Sequence, residues 1–292
     1  MITQINYPSP TDYARLCERP ALEQAALGSL IEGVFQKVQT EGDAALRELT
    51  KNYENRNIDS ILYTPEEIEK YAAKTEPNLQ KAIKHAYDNI YAFHNAQKLV
   101  SAKIEINPGV VCWQKATGID KVGIYIPGGT APLFSTVLML AIPARIAGCL
   151  EVVLCTPAEH PAIFYAAKLC GVTKMAKIGG SQAIAALTLG TESVPKVYKI
   201  FGPGNSYVTA AKTIVSQDVA IDMPAGPSEV FIMADETANP AYIASDLAAD
   251  GEHGNDSACI LITTSVSILS RTKIYTSVLY HKSHYFLILR SK

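Results

Sequence analysis

Short runs of β-branched residues alternate with alanine-rich segments of helical length along the chain after Trp113. The runs end in glycine turns, and they predict strands at 122–126, 151–155, 175–178 and 197–201. The helices that follow them are expected to start near Pro132, His160, Ser181 and Asn205. Because parallel strands need crossover connections, this alternation predicts a Rossmann-like parallel sheet with helices on its faces.

The first hundred residues are helix-rich and amphipathic. One helix start is well marked, since Thr64 and Glu67 make a capping box and Pro65 takes the first helical position. A longer helix is expected to open at Pro77 and to run to about Gln97. These signals predict a helical N-terminal part that precedes the sheet.

The elements divide the chain into four parts. We expect 1–118 to form the helix-rich start of a first domain, 119–225 a Rossmann-like domain, 226–264 a return to the first domain, and 265–292 an aberrant tail. The returning part contains a predicted strand at 230–234, a helix capped by Asn239, and a strand at 259–263. The fold class is therefore α/β, with a Rossmann-like domain plus a helix-rich N-terminal α/β domain that is incomplete at its C-terminal end.

The tail differs from the rest of the chain in composition. Residues 265–292 contain no Gly, Pro, Ala, Asp, Glu, Asn or Gln, and Asp256 is the last carboxylate side chain. Neither helical nor strand periodicity is sustained there. We interpret the tail as the product of a frameshift or read-through rather than as a functional segment.

Charge and cysteine content narrow the class of ligand. Lys plus Arg number 26 against 28 for Asp plus Glu, so no basic field exists to attract nucleic acid or an anionic membrane, and a small molecule is the expected ligand.

The six scattered cysteines contain no C-x-x-C pair, and the N-terminus lacks a signal peptide, so we expect a cytoplasmic protein. The apolar stretch 131–150 includes Pro143 and Arg145, which favours a buried helix over a membrane span.

Three glycine turns, at 125–129, 178–182 and 201–205, follow predicted strands. Glycine lets backbone N–H groups and a helix N-terminus approach an anion such as a pyrophosphate. None of the three is a G-x-G-x-x-G motif, and each alone could be a turn that only connects a strand to a helix. Their common place at the carboxyl ends of adjacent strands favours a ligand site.

Asp250 and His253 are three residues apart near the end of a predicted helix. They would face the same side of its last turn and could offer one oxygen and one nitrogen to a cation such as zinc. The alternative is a charged helix end that stops at Gly254.

The block Ile-Asp-Met-Pro-Ala-Gly-Pro-Ser-Glu at 221–229, followed by 246–253, resembles the signature of histidinol dehydrogenases. The segments 122–130, 178–183 and 202–207 resemble other blocks of that family in the same order, so the likeness covers most of residues 10–264. It implies a zinc-dependent, NAD-linked enzyme that oxidises L-histidinol to L-histidine through the aldehyde, the last stage of histidine biosynthesis. Members of this family are homodimers.

The resemblance also implies roles for individual residues. Tyr125, Gln182 and Asn205 match positions that contact NAD. Ser228 matches a substrate contact, and His253 matches a residue that binds zinc and touches histidinol.

The chain departs from the family's pattern near the metal. Asp250 stands where the family has a glutamine that binds zinc beside the substrate, and Gly251 replaces a bulkier residue. The family's Glu–His base pair and two further zinc ligands, an aspartate and a histidine, lie beyond the change of composition. Because no Asp or Glu follows Asp256, we assign no catalytic residue in this chain.

Three hypotheses remain open from the sequence. The first is a truncated histidinol dehydrogenase homologue with little or no turnover as a single chain. The second is a non-catalytic remnant that at most binds dinucleotide or a partner subunit, and the third is an unrelated βα-repeat ligand-binding protein. C-terminal regions of the family complete the partner's site, so the altered tail puts the homodimer interface in question.

Overall fold

The computed structural model describes residues 2–16, 24–128, 132–224, 228–251, 257–279 and 286–290. The strands are β1 (Ile2–Asn6), β2 (Ile104–Asn107), β3 (Val110–Cys112), β4 (Lys121–Tyr125), β5 (Glu151–Cys155), β6 (Lys174–Ala176), β7 (Lys199–Phe201), β8 (Ala220–Ile221), β9 (Glu229–Ala234), β10 (Ala258–Thr263) and β11 (Phe286–Arg290). The helices are α1 (Tyr13–Leu16), α2 (Gln24–Glu41), α3 (Asp43–Glu54), α4 (Pro65–Ala72), α5 (Pro77–Ala96), α6 (Phe134–Ala147), α7 (Pro161–Cys170), α8 (Gly180–Leu189), α9 (Ser206–Val215), α10 (Pro240–Gly251) and α11 (Val266–Leu279). A 3₁₀ helix spans Pro10–Asp12.

The larger of two compact units spans Glu23–Ala225. Its parallel sheet has the strand order β6-β5-β4-β7-β8, which confirms the predicted Rossmann-like sheet. Side chains of the central strand alternate between the two faces, since Val122 and Ile124 belong to one buried core and Tyr125 to the other. This period of two lets helices cover both sides of the sheet.

Helices cover the two faces in separate groups. On one side α2 and α3 pack with α8 and α9, and on the other α4 and α5 pack with α6 and α7. The sequence predicts that residues 1–118 belong to the first domain, whereas α2–α5 lie in the same compact unit as the sheet β6-β5-β4-β7-β8. The reason is burial, because Ile31 and Leu46 share one core with Ile184 of α8.

Local signals in the sequence set the helix starts as predicted. Thr64 Oγ1 accepts from Glu67 N at 3.2 Å, and the Glu67 carboxylate accepts from Thr64 N at 2.7 Å, which completes the capping box. His160 and Asn205 are the N-caps of α7 and α9. The strand predicted at 197–201 begins later, at Lys199, and Val197 N donates instead to Leu187 O of α8.

The apolar stretch 131–150 forms α6, as expected, and buries residues such as Leu138 and Ile142 completely. Among the described helices, none combines the length and apolar character that crossing a membrane requires.

The second unit comprises Met1–Leu22 and Gly226–Lys292. Its parallel sheet has the order β1-β11-β10-β9, and helices α10 and α11 pack on it. Buried residues of α10, β10 and α11 form its core: Ile243, Leu247, Cys259, Leu261, Ile268 and Leu269.

The described residues of the tail form α11 and β11, although the sequence sustains neither a helical nor a strand period there. The helix buries Ile268, Leu269, Thr272 and Thr276, so two polar threonines occupy positions of its apolar stripe and hide the helical period. The strand lies between β1 and β10, and interior strands of parallel sheets are continuous apolar runs without alternation.

Candidate functional site

The order of the larger sheet determines where a ligand can enter it. The chain moves from β4 outward through β5 to β6 and then crosses to β7 on the other side of β4. Such a reversal opens a crevice at the carboxyl ends of the two central strands, here β4 and β7. Two of the three predicted glycine turns follow these strands, and the third follows β6.

Gly202 lies directly after β7 and has a φ of +128°. A Cβ atom built there would lie 2.1 Å from Tyr125 O, at the end of β4. Only glycine therefore allows the two strand ends to approach so closely.

The other turns pack against the loop after β5. A Cβ at Gly128 or at Gly179 would lie 2.8 Å from Pro157 Cγ. The glycine turns after β4 and β6 thus converge on one proline, which brings these two turns to the same edge of the sheet.

The N-terminus of α8 is held by side chains from two other elements. Glu54 Oε1 accepts from Gly179 N and from Gln182 Nε2, both at 2.9 Å, and Tyr125 Oη accepts from Gly180 N at 3.0 Å. Tyr125 is 3% exposed and Gln182 is 1% exposed. The structure therefore brings these two predicted site residues together, and both side chains fix the turn instead of projecting into solvent.

Burial raises the pKa of Tyr125 to about 12. The phenol keeps its proton at neutral pH, and its oxygen already accepts from the Gly180 amide. The hydroxyl group can therefore still donate one hydrogen bond to a ligand.

Asn205 marks the third turn and is exposed. Its Oδ1 accepts from Val208 N at 3.1 Å and so caps α9. The free N–H groups and the dipole of a helix N-terminus attract anions, and α9 begins at the crevice. A dinucleotide pyrophosphate fits this position chemically.

Three supporting residues were missed by the sequence analysis. Glu54 ends α3, 125 residues before the amide of Gly179 that it binds, so no local pattern could reveal it. Lys212 and Asp222 contact the Gly202 peptide, and only Asp222 carried a signal, as a member of the 221–229 block. All three act on the glycine turns.

The Glu54 carboxylate is balanced by a neighbouring cation. Arg56 Nη1 lies 2.8 Å from Glu54 Oε2, and Arg56 Nη2 lies 3.1 Å from Glu159 Oε1. The Glu54 side chain is 13% exposed, so this ion pair reduces the cost of burying its charge.

The remaining predicted site residues belong to the second unit. Ser228 precedes β9, and its carbonyl oxygen accepts from Ala258 N at 2.9 Å. Asp250 lies half-buried in the last turn of α10, as predicted. Burial, with a contribution from the negative charge of Asp250, raises the pKa of the Cys259 thiol to about 11. His253 lies outside the described residues.

The zinc expectation can be tested on the donors that the structure describes. Among them, no three His, Cys, Asp or Glu side chains lie close enough together to hold a metal ion. Stable protein zinc sites use three or four side chains. Of the two implied ligands the structure describes Asp250, and the zinc site stays a prediction.

Comparisons with known proteins agree on one family. A sequence model described as histidinol dehydrogenase matches residues 17–284. A histidinol dehydrogenase of Bacteroides thetaiotaomicron is 55% identical over 271 residues, which cover 91% of this chain and 63% of that protein. One of Vibrio vulnificus is 52% identical over 265 residues, covering 89% and 62%. The crystal structure of a histidinol dehydrogenase from Elizabethkingia anophelis has a TM-score of 0.85 at 43% identity, covering 99% of this chain and 71% of that one.

Each match covers only part of the relative's length. The chain spans 62–63% of the length of these two curated relatives.

Proposed function

The chain belongs to the histidinol dehydrogenase family, and we propose that its Glu23–Ala225 unit binds NAD for the oxidation of L-histidinol to L-histidine through the aldehyde. The observation that carries the proposal is the reversal of strand order at β4 and β7, whose carboxyl ends approach so closely that only glycine fits at position 202. As a member of this family, the chain is a homologue of an oxidoreductase of histidine biosynthesis.

The residues of the glycine turns bind and orient the dinucleotide. The N-terminal amides of α9 attract the pyrophosphate, while Tyr125 offers a protonated hydroxyl and Asn205 keeps its amide nitrogen as a donor. Glu54 and Gln182 hold the α8 turn in the shape that contacts the dinucleotide. A bound NAD would supply the hydride acceptor, and two NAD molecules used in succession would be reduced to NADH, one for the alcohol and one for the aldehyde.

Zinc and substrate binding form the second part of the proposal. Asp250 and His253 are the zinc ligands and, with Ser228, the substrate contacts that the resemblance implies.

A second candidate function is dinucleotide binding without turnover. It is favoured by one observation, that Asp250 stands where the resemblance expects a glutamine that binds zinc. The two candidates predict the same NAD binding and differ in activity.

The test measures binding and turnover on the same folded protein. Calorimetric titration with NAD is expected to give saturable binding, and NADH formation at 340 nm with L-histidinol, with and without added zinc, separates the two candidate functions. Zinc-dependent turnover supports the full reaction, and binding alone supports the second candidate. A folded chain that does not bind NAD overturns both.

The variant Asn205→Asp sharpens this test. Asp caps a helix as well as Asn does, so the thermal stability of the unit should be unchanged. The added negative charge beside the pyrophosphate should weaken NAD binding about tenfold or more, which corresponds to about 1.4 kcal/mol. The same affinity in both proteins would place the pyrophosphate elsewhere.

We also propose a cytoplasmic homodimer. The described cysteines are free thiols, which is typical of a reducing compartment. Light scattering on a 31.5 kDa chain distinguishes a dimer from a monomer.

A further inference from the structure

A buried ion pair encloses the peptide of Gly202. Lys212 Nζ donates to Gly202 O at 2.8 Å, and Asp222 Oδ2 accepts from Gly202 N at 2.8 Å. Lys212 and Asp222 also contact each other directly, so the two side chains and the glycine close a ring. Both polar groups of Gly202 are thereby held by side chains.

The ring joins three segments that are distant in sequence. Lys212 comes from α9, Asp222 follows β8, and Gly202 follows β7. The Lys212 side chain is 5% exposed and that of Asp222 is 29% exposed. Among the described residues, the Lys212 ammonium group forms its ion pair with Asp222, and solvent competes weakly for its hydrogen bonds.

The position of Gly202 makes such support necessary. A glycine has the greatest backbone freedom of any residue, and the φ of +128° is one of many conformations open to it. One side-chain bond to the N–H and one to the C=O on either side of the Gly202 Cα select one of these conformations. The selected conformation sets the direction in which Pro203 and Gly204 lead to the cap of α9.

Buried ion pairs are weak sources of stability, because desolvation offsets most of their attraction. Apolar pairs often replace them without loss of stability, whereas such pairs can select one conformation among several. The Lys212–Asp222 pair therefore fits a role in positioning the turn better than a role in holding the unit folded.

We infer that Lys212 and Asp222 are positioning residues that hold the Gly202 peptide, and with it the turn 202–205, in the conformation that receives the dinucleotide. The inference rests on the proposed function for the identity of the ligand, but the ordering of the turn is independent of it. Neither side chain needs to touch the dinucleotide itself.

The test compares two isosteric substitutions in the same sheet. Asp222→Asn removes a charge at the carboxyl ends of the strands. Glu151→Gln removes a charge at their amino ends, where Glu151 pairs with Lys121 and Lys174. Hydrogen exchange of the segment 201–207, followed by mass spectrometry, reports the order of the turn. Calorimetric titration with NAD reports affinity, and thermal unfolding reports stability.

Asp222→Asn is expected to speed exchange in 201–207 at least tenfold and to weaken NAD binding at least tenfold, while Glu151→Gln changes neither. If Asp222→Asn fails to fold, the double variant Lys212→Met, Asp222→Leu removes both charges and should show the same two effects in a folded protein. Parental exchange rates in a folded variant overturn the inference. If the variant exchanges faster but the parental chain does not bind NAD, the positioning role of the pair is supported and NAD is refuted as the ligand.

Discussion

Replacing Gly202 with alanine adds a single methyl group at the junction of β4 and β7. The new Cβ would lie 2.1 Å from the carbonyl oxygen of Tyr125, and real Cβ contacts are not found so close. Because the clashing atom belongs to the backbone of the central strand, no side-chain rotation relieves the overlap. One of the two strand ends must move.

Two costs add in this variant. A non-glycine residue held at the φ of +128° costs about 1–3 kcal/mol in backbone strain. Forcing an extra methyl group into a packed site costs about 1–3 kcal/mol more. The sum of about 2–6 kcal/mol is a large part of the 5–15 kcal/mol that typically separates a folded domain from its unfolded chain.

Urea unfolding followed by circular dichroism measures the change. With a slope of about 2 kcal/mol per molar urea, the midpoint of Gly202→Ala should fall by about 1 M or more. The matched control is Gly33→Ala in α2, where a Cβ meets nothing within 4 Å and the φ is not positive. That change should raise the stability by about 0.5–1 kcal/mol, since alanine is the better helix former. A Gly202→Ala protein with the parental midpoint would refute the close approach of β4 and β7.

Three further predictions concern other parts of the chain. Thr272→Val should raise the free energy of unfolding by about 1 kcal/mol, because the buried Thr272 hydroxyl has no hydrogen-bond partner among the described atoms; urea unfolding checks this. Burial raises the pKa of Cys155 to about 12, so iodoacetamide at pH 8 should label exposed Cys112 and spare Cys155 in the folded protein, as peptide mass mapping would detect. Glu54→Gln should cost about 1–2 kcal/mol by weakening the charged hydrogen bond to Gly179, and parental stability in thermal unfolding would contradict that role.

Local sequence signals determined the elements of the larger sheet. The strand predicted at 151–155 is β5, and the caps at Thr64, His160 and Asn205 begin helices as expected. These signals act over a few residues, because a cap or a strand depends on neighbours in the chain. The order of the elements then left few topologies for a parallel sheet.

The tail shows where such signals fail. Its helix buries Thr272 and Thr276 in place of apolar residues, and its strand occupies the interior of a sheet. Neither feature produces a regular alternation of polar and apolar positions. Burial by distant elements, rather than local pattern, determined these two structures.

The sequence by itself determined the family, the alternation of strands and helices, and the glycine turns at the strand ends. It also named Tyr125, Gln182 and Asn205 as candidate dinucleotide contacts, and that assignment remains a prediction. Only the tertiary structure decided which residues support those turns, because Glu54 binds an amide 125 residues away and Lys212 and Asp222 meet across Gly202. Hydrogen bonds between side chains and distant backbone groups depend on how helices and strands pack. Such contacts produce no periodic pattern in the sequence.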